Sequence, residues 1–122
     1  MINYAVPTNE IPLYSCKFIR VKDKIYVTSP NDIDTLHHTL AETDGINDEL
    51  FKLIRSNPND VDAGQITVLN NESRKRVRVS MSSIGYGIPL TDQARVNTAE
   101  IIGRLTPGYE IRTEMPFRSK ER

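Results

Sequence analysis

Arg74-Lys75-Arg76-Val77-Arg78-Val79-Ser80-Met81 alternates along its length, and read as a strand it sets Arg74, Arg76 and Arg78 on one face and Val77, Val79 and Met81 on the other. Alternate strand residues stand about 6–7 Å apart. That is close to the separation of successive phosphates on a nucleic-acid strand, and guanidinium forks suit phosphate oxygens. Ser80 and Ser82 continue the outward parity with hydroxyl donors.

Working back from this segment, Ile66-Thr67-Val68-Leu69 is a second β-like run, and Asn70-Asn71-Glu72-Ser73 between the two reads as the turn of a hairpin. Residues 59–65 read as a polar, acidic loop. Further upstream, Leu13 to Val21 and Ile25 to Thr28 flank Lys22-Asp23-Lys24 as another hairpin. The first dozen residues carry Pro7 and Pro12 and are expected to form an extended arm, 1–12.

Ser29-Pro30 is a helix-start signal, with Asp32 near the positive end and Ile33, Leu36, His37 and Leu40 at helical spacing up to Asp44-Gly45. A second helix takes Ile46, Leu50, Phe51, Leu53 and Ile54 as its apolar face and stops at Asn57-Pro58. Thr91-Asp92 opens a helical region to about Leu105. Asn97-x-x-Glu100 repeats the capping pattern, so this region reads as two pieces with a break near Val96. Residues 109–115 alternate as a final strand, and 117–122 read as a flexible tail.

The expected fold is therefore a single α+β domain over 13–116, with an antiparallel or mixed sheet of about five strands and two to three helices packed on one face. A chain of 122 residues suits one such domain. Apolar residues make up 38%, below the usual 45–50% or so, which argues for a compact core rather than large cavities.

Cys16 is the single cysteine, so no intramolecular disulfide is available. The start of the chain lacks the basic and apolar regions of a secretory leader, and no stretch approaches the roughly 20 apolar residues of a membrane span. A cytoplasmic protein with no membrane partner is expected.

Charge is balanced overall, 16 basic against 16 acidic residues, but it is segregated. Residues 41–72 hold two cations and seven anions, net minus five, and residues 73–122 hold ten cations and five anions, net plus five. The two segments can neutralise one another within the fold, meet between subunits, or leave a basic face free.

The functional reading is a small non-enzymatic binding protein that engages a phosphate-rich ligand, nucleic acid or nucleotide, through Arg74, Arg76, Arg78 and Ser80 of the basic hairpin. The loop Ser82-Ser83-Ile84-Gly85-Tyr86-Gly87 adds Ser82, the backbone around Gly85 and Gly87, and Tyr86 as a stacking or capping ring. The bland reading of the same arginines is a solvated or ion-paired sheet face. The alternative function is a protein-binding adaptor or inhibitor, such as a virus or mobile-element accessory protein, acting as a homo-oligomer in which the acidic middle of one subunit meets the basic strand of another.

Enzymatic chemistry and cofactors find no motif. The loop has neither the G-x-x-x-x-G-K-[ST] nor the G-x-G-x-x-G pattern. His37 and His38 with Asp34 lack a third metal ligand nearby and read as one half-buried and one exposed histidine. Cys16 lies at the parity of Tyr14 and Phe18 and reads as a small buried hydrophobe, and Asp60-Val61-Asp62 reads as a solvated turn.

Overall fold

β1 (Leu13–Val21) and β2 (Lys24–Val27) form the first hairpin, with Val21 paired to Lys24 and the intervening Lys22 in left-handed backbone, φ 57°. The structure is a computed structural model that describes residues 13–29, 31–32, 34–35, 37–80, 88 and 91–114, the side chains of residues 38, 43 and 44 excepted. The 1–12 arm, the 82–87 loop and the 117–122 tail lie outside the described residues.

After β2 come α1 (His37–Asp44), α2 (Asn47–Ser56), a 3₁₀ turn (Pro58–Asp60), β3 (Val61–Asn70), β4 (Lys75–Ser80), α3 (Asp92–Leu105) and β5 (Glu110–Thr113). The five strands make one mixed sheet in the order β2-β1-β3-β4-β5. All pairs are antiparallel except β4–β5. That pair is parallel because a helix, α3, carries the chain back before β5 begins. The expected single α+β domain with a five-stranded sheet and three helices is what the chain forms.

The helices, however, divide between the two faces of the sheet instead of sharing one. Tyr14, Cys16, Phe18, Ile25, Ile66, Val68, Val77 and Val79 close a core with Ile101 and Ile102 of α3. The residues of opposite parity, Ile19, Val21, Val61 and Ala63, close a second core with Leu40 and Ala41 of α1 and Leu50 and Leu53 of α2. Strand alternation makes this division necessary, since Phe18 and Ile19 are adjacent in β1 and both are fully buried.

Three local expectations are corrected. Residues 61–65 are not loop but the first half of β3, which pairs along the whole of β1 from Val21↔Val61 to Leu13↔Leu69. No helix begins at Ser29, and Pro30, Ile33 and Leu36 of the expected helix lie outside the described residues. The backbone there serves the edge of β1, where the Asn31 amide donates to the Ser15 carbonyl and Asn31 Oδ1 accepts the Ser15 amide, 3.1 Å. Asp32 then caps the turn that follows, accepting from the Thr35 amide and hydroxyl, and α1 begins at His37. Finally, α3 is unbroken at Val96. Thr91 caps it by accepting from the Ala94 amide, 3.0 Å, and Asn97 bonds sideways to Gln93 and to the Asn59 carbonyl instead of restarting the helix.

Candidate polyanion-binding face

The α1–α2 corner covers only one end of its face of the sheet. Beyond Ile19 and Ala63 the same parity continues along the sheet, and three cross-strand rows result. The first is Leu13, Leu69, Arg76 and Glu110; the second is Ser15, Thr67, Arg78 and Arg112; the third is Lys17, Gln65 and Ser80. Every member of these rows is exposed or half-buried.

The hairpin turn decides which arginines belong to this face. Asn71 accepts at Oδ1 from the amides of Ser73 and Arg74, 3.0 and 2.8 Å, and its own amide donates to the Arg74 carbonyl, 3.0 Å. An asparagine that bonds its own turn in this way holds residues 71–74 out of the ladder. Arg74 therefore sits exposed in the turn just before β4, while Arg76 and Arg78 belong to the strand itself.

Arg112 takes the third place. Its strand alternates as the sequence indicates, with Ile111 packed against the α3-side core and Glu110 and Arg112 outward. Parallel pairing then puts Arg112 beside Arg78 and Glu110 beside Arg76. Alternation alone marks Arg112 as outward-facing; only the long-range β4–β5 pairing brings it to the other two.

Arg76, Arg78 and Arg112, with Thr113 and Glu114, line an open recess across these two strands. Glu110 accepts from Arg112 Nε at 2.7 Å and from Arg76 Nε at 3.3 Å. Those two hydrogen bonds, Arg112's first, hold its carboxyl below the usual carboxylate range, so it is ionised at neutral pH. Arg76 and Arg112 thus share one exposed carboxylate. Arg78 makes no ion pair among the described residues. Among the described residues at the recess, three cations stand against Glu114 of its lining and the adjoining Glu110.

Ser80 follows on the same face and donates to the Gln65 carbonyl at 3.4 Å. Ser82, Gly85, Tyr86 and Gly87 lie outside the described residues.

A second charged group, which the sequence reading missed, is sealed beneath α3. Arg95 forks onto Asp62, Nε to Oδ2 at 2.8 Å and Nη2 to Oδ1 at 3.1 Å, and both side chains are fully buried. Arg95 also donates to the Ala63 and Glu114 carbonyls and lies 5.9 Å from the centre of the Phe18 ring. Thr98 bonds Asp62 Oδ2 at 2.8 Å and accepts from Arg20 Nε at 2.7 Å. Arg20 in turn reaches the carbonyls of Lys22, Asn59 and Ala94. Burial lowers the Arg20 pKa, with Asp62 and Asp60 opposing.

Asp62 is therefore buried, not solvated. Its parity with Gly64, Ile66 and Val68, which face α3, together with the i, i+3 and i+7 spacing of Arg95, Thr98 and Ile102, was the available signal. The group is closed to solvent and ties β1, β3 and α3 together. It also neutralises one charge of the acidic middle against one of the basic half within a single chain.

Cys16 is buried, and burial pushes its thiol up to about 12, which removes the thiolate a nucleophile requires. His37 is also buried, its Nε2 3.1 Å from the Gly64 carbonyl. A carbonyl can only accept, so Nε2 carries a proton, and burial lowers the ring's pKa against the carbonyls of Gly64 and Phe18. Among the described residues no three His, Cys, Asp or Glu side chains converge as a metal site, and no helix is long and apolar enough to cross a membrane.

Comparison of the chain with protein-family models, with curated proteins and with solved structures finds no match.

Proposed function

We propose that this protein is a non-enzymatic binding protein that captures a phosphate-rich ligand, nucleic acid or nucleotide, on the open face of β4 and β5. The observation that carries this reading is the placement of Arg76, Arg78 and Arg112 around one recess, where Glu110 bonds Arg76 and Arg112 and, among the described residues, no carboxylate pairs with Arg78. Exposed ion pairs contribute little stability, so a phosphate can take Glu110's place without cost to the fold. Each phosphate neutralised releases counterions, and positioning by guanidinium forks completes the capture. A cytoplasmic setting accords with a lone buried thiol.

The test is fluorescence anisotropy with labelled oligonucleotides and a labelled nucleotide at two salt concentrations, on the wild type and on the double variant Arg78→Ala, Arg112→Ala. The reading expects binding that weakens steeply with salt and is lost in the double variant while circular dichroism stays unchanged. Equal binding by the folded double variant would refute it.

A further inference from the structure

Resting on the preceding proposal, we infer that the ligand is a single-stranded polynucleotide, its phosphates over Arg76, Arg78 and Arg112 and its bases over Leu69, Thr67 and Leu13. The open face is not uniformly cationic. Its arginines lie along β4 and β5, and in the first two rows the strands beside them, β3 and β1, present uncharged side chains, with Lys17 the one cation of β1 in the third row. Next to Arg76 in the first row stand Leu69, half-buried, and then Leu13, 58% exposed and the most exposed large apolar side chain among the described residues. Next to Arg78 in the second row stand Thr67 and Ser15, whose hydroxyls bond one another at 2.9 Å.

A ligand that fills such a face has an anionic edge and an apolar, hydrogen-bonding edge, side by side and repeating along β4. A single nucleic-acid strand has this form, with backbone phosphates on one side and unpaired bases on the other. Arg76 and Arg78 are two residues apart on one strand, about 6–7 Å, which matches phosphates on successive nucleotides rather than the contiguous phosphates of one nucleotide. A duplex hides its base faces. Its major groove admits a helix or a two-stranded ribbon, whereas β4 is flanked on both sides, by β3 and β5. Inorganic polyphosphate would satisfy the arginines and leave Leu13 and Leu69 in water.

Fluorescence anisotropy on the full chain, with a short labelled single strand of DNA, the same sequence as RNA, the matching blunt duplex and inorganic polyphosphate as competitor, decides the matter. The expected result is a single strand bound about tenfold or more tightly than the duplex. The double variant Leu13→Ser, Leu69→Ser should lose that preference and keep its affinity for the duplex and for polyphosphate. Leu13→Ser alone, at an exposed position, carries the same expectation at smaller size should the double variant not fold. Equal affinity for single strand, duplex and polyphosphate in the wild type overturns the single-strand assignment and leaves anion capture standing. Binding of none of them overturns both.

Discussion

Arg78 and Arg112 are register partners on adjacent parallel strands, both outward on the same open face. Like charges side by side across a sheet destabilise it. Glu110 relieves the repulsion for Arg112 and for Arg76, but no carboxylate reaches Arg78 among the described residues. An anion bound over the recess would gain from both guanidiniums at once.

Arg78→Ala and Arg112→Ala should each reduce the slope of log K against log salt by about 1, the share of one phosphate contact. Arg74→Ala, at the exposed turn, should change the slope less. A salt titration by anisotropy on the three variants checks the ranking, and an Arg74 effect as large as that of Arg78 would place the ligand on the turn instead.

Glu110→Gln should tighten anion binding. The wild-type carboxylate occupies Arg112 and Arg76, and its depressed pKa keeps it ionised at neutral pH, so an incoming phosphate must displace it. The amide removes the competing charge at nearly the same volume. Weaker binding by this variant, measured at the same salt as the wild type, would show that Glu110 orients the arginines rather than competing for them.

Asp62→Ala should destabilise the fold by about 3–5 kcal/mol, because it leaves the Arg95 guanidinium buried without a counter-charge. Replacing both partners, Asp62→Leu with Arg95→Met, should recover part of the loss, since the Arg95 desolvation penalty then disappears while buried Arg20 still loses Asp62. Urea unfolding of the single and double variants measures the difference, and additive losses would argue against the coupling.

How much of this was legible in the sequence depends on how local each signal is. α2 could be read from Ile46, Leu50, Leu53 and the Asn57-Pro58 stop, and β4 from alternating arginine and valine, because the pattern and its cause lie within one segment. Ser29 carries an equally good local cap signal, yet the described helix begins only at His37, since pairing of Asn31 with Ser15, sixteen residues away, outweighs a cap. Arg112 beside Arg78 and Arg95 upon Asp62 join residues more than thirty positions apart. Alternation and helical spacing say which way such side chains point, and only the sheet order says what they meet. The acidic stretch misled for the same reason: Asp62 looks like a loop residue until Arg95 is brought to it.

Gly64→Ala should cost about 1–3 kcal/mol by overpacking. A Cβ at this position would run into the Ser80 backbone carbonyl and lie 3.2 Å from both Arg95 Nη2 and the Phe18 ring, so the close approach of β4, the buried guanidinium and the ring all rely on a missing side chain. Thermal unfolding reads the loss. Wild-type stability in this variant would mean that β4 can shift at Ser80, and the recess lined by Arg78 should then change its anion affinity as well.

Stability should fall as the solution is made acidic through the ordinary histidine range, and His37 should account for part of the fall. Its pKa is lowered in the folded protein, chiefly by burial, from an unfolded value near 6.5. Above about pH 7 both states hold the ring neutral, and the full stability is present. Below about 6.5 the unfolded chain takes up a proton that the folded protein does not, so each further drop in pH favours unfolding until the lowered folded pKa is reached. Lys17 also disfavours the imidazolium, while the carbonyl that accepts from Nε2 partly offsets the shift. Urea unfolding between pH 7.5 and 5 on the wild type and on His37→Gln should show a shallower acid slope in the variant. Proton NMR of the His37 ring gives the independent reading: a resonance that titrates at or above the ordinary histidine pKa in the folded protein would rule this origin out.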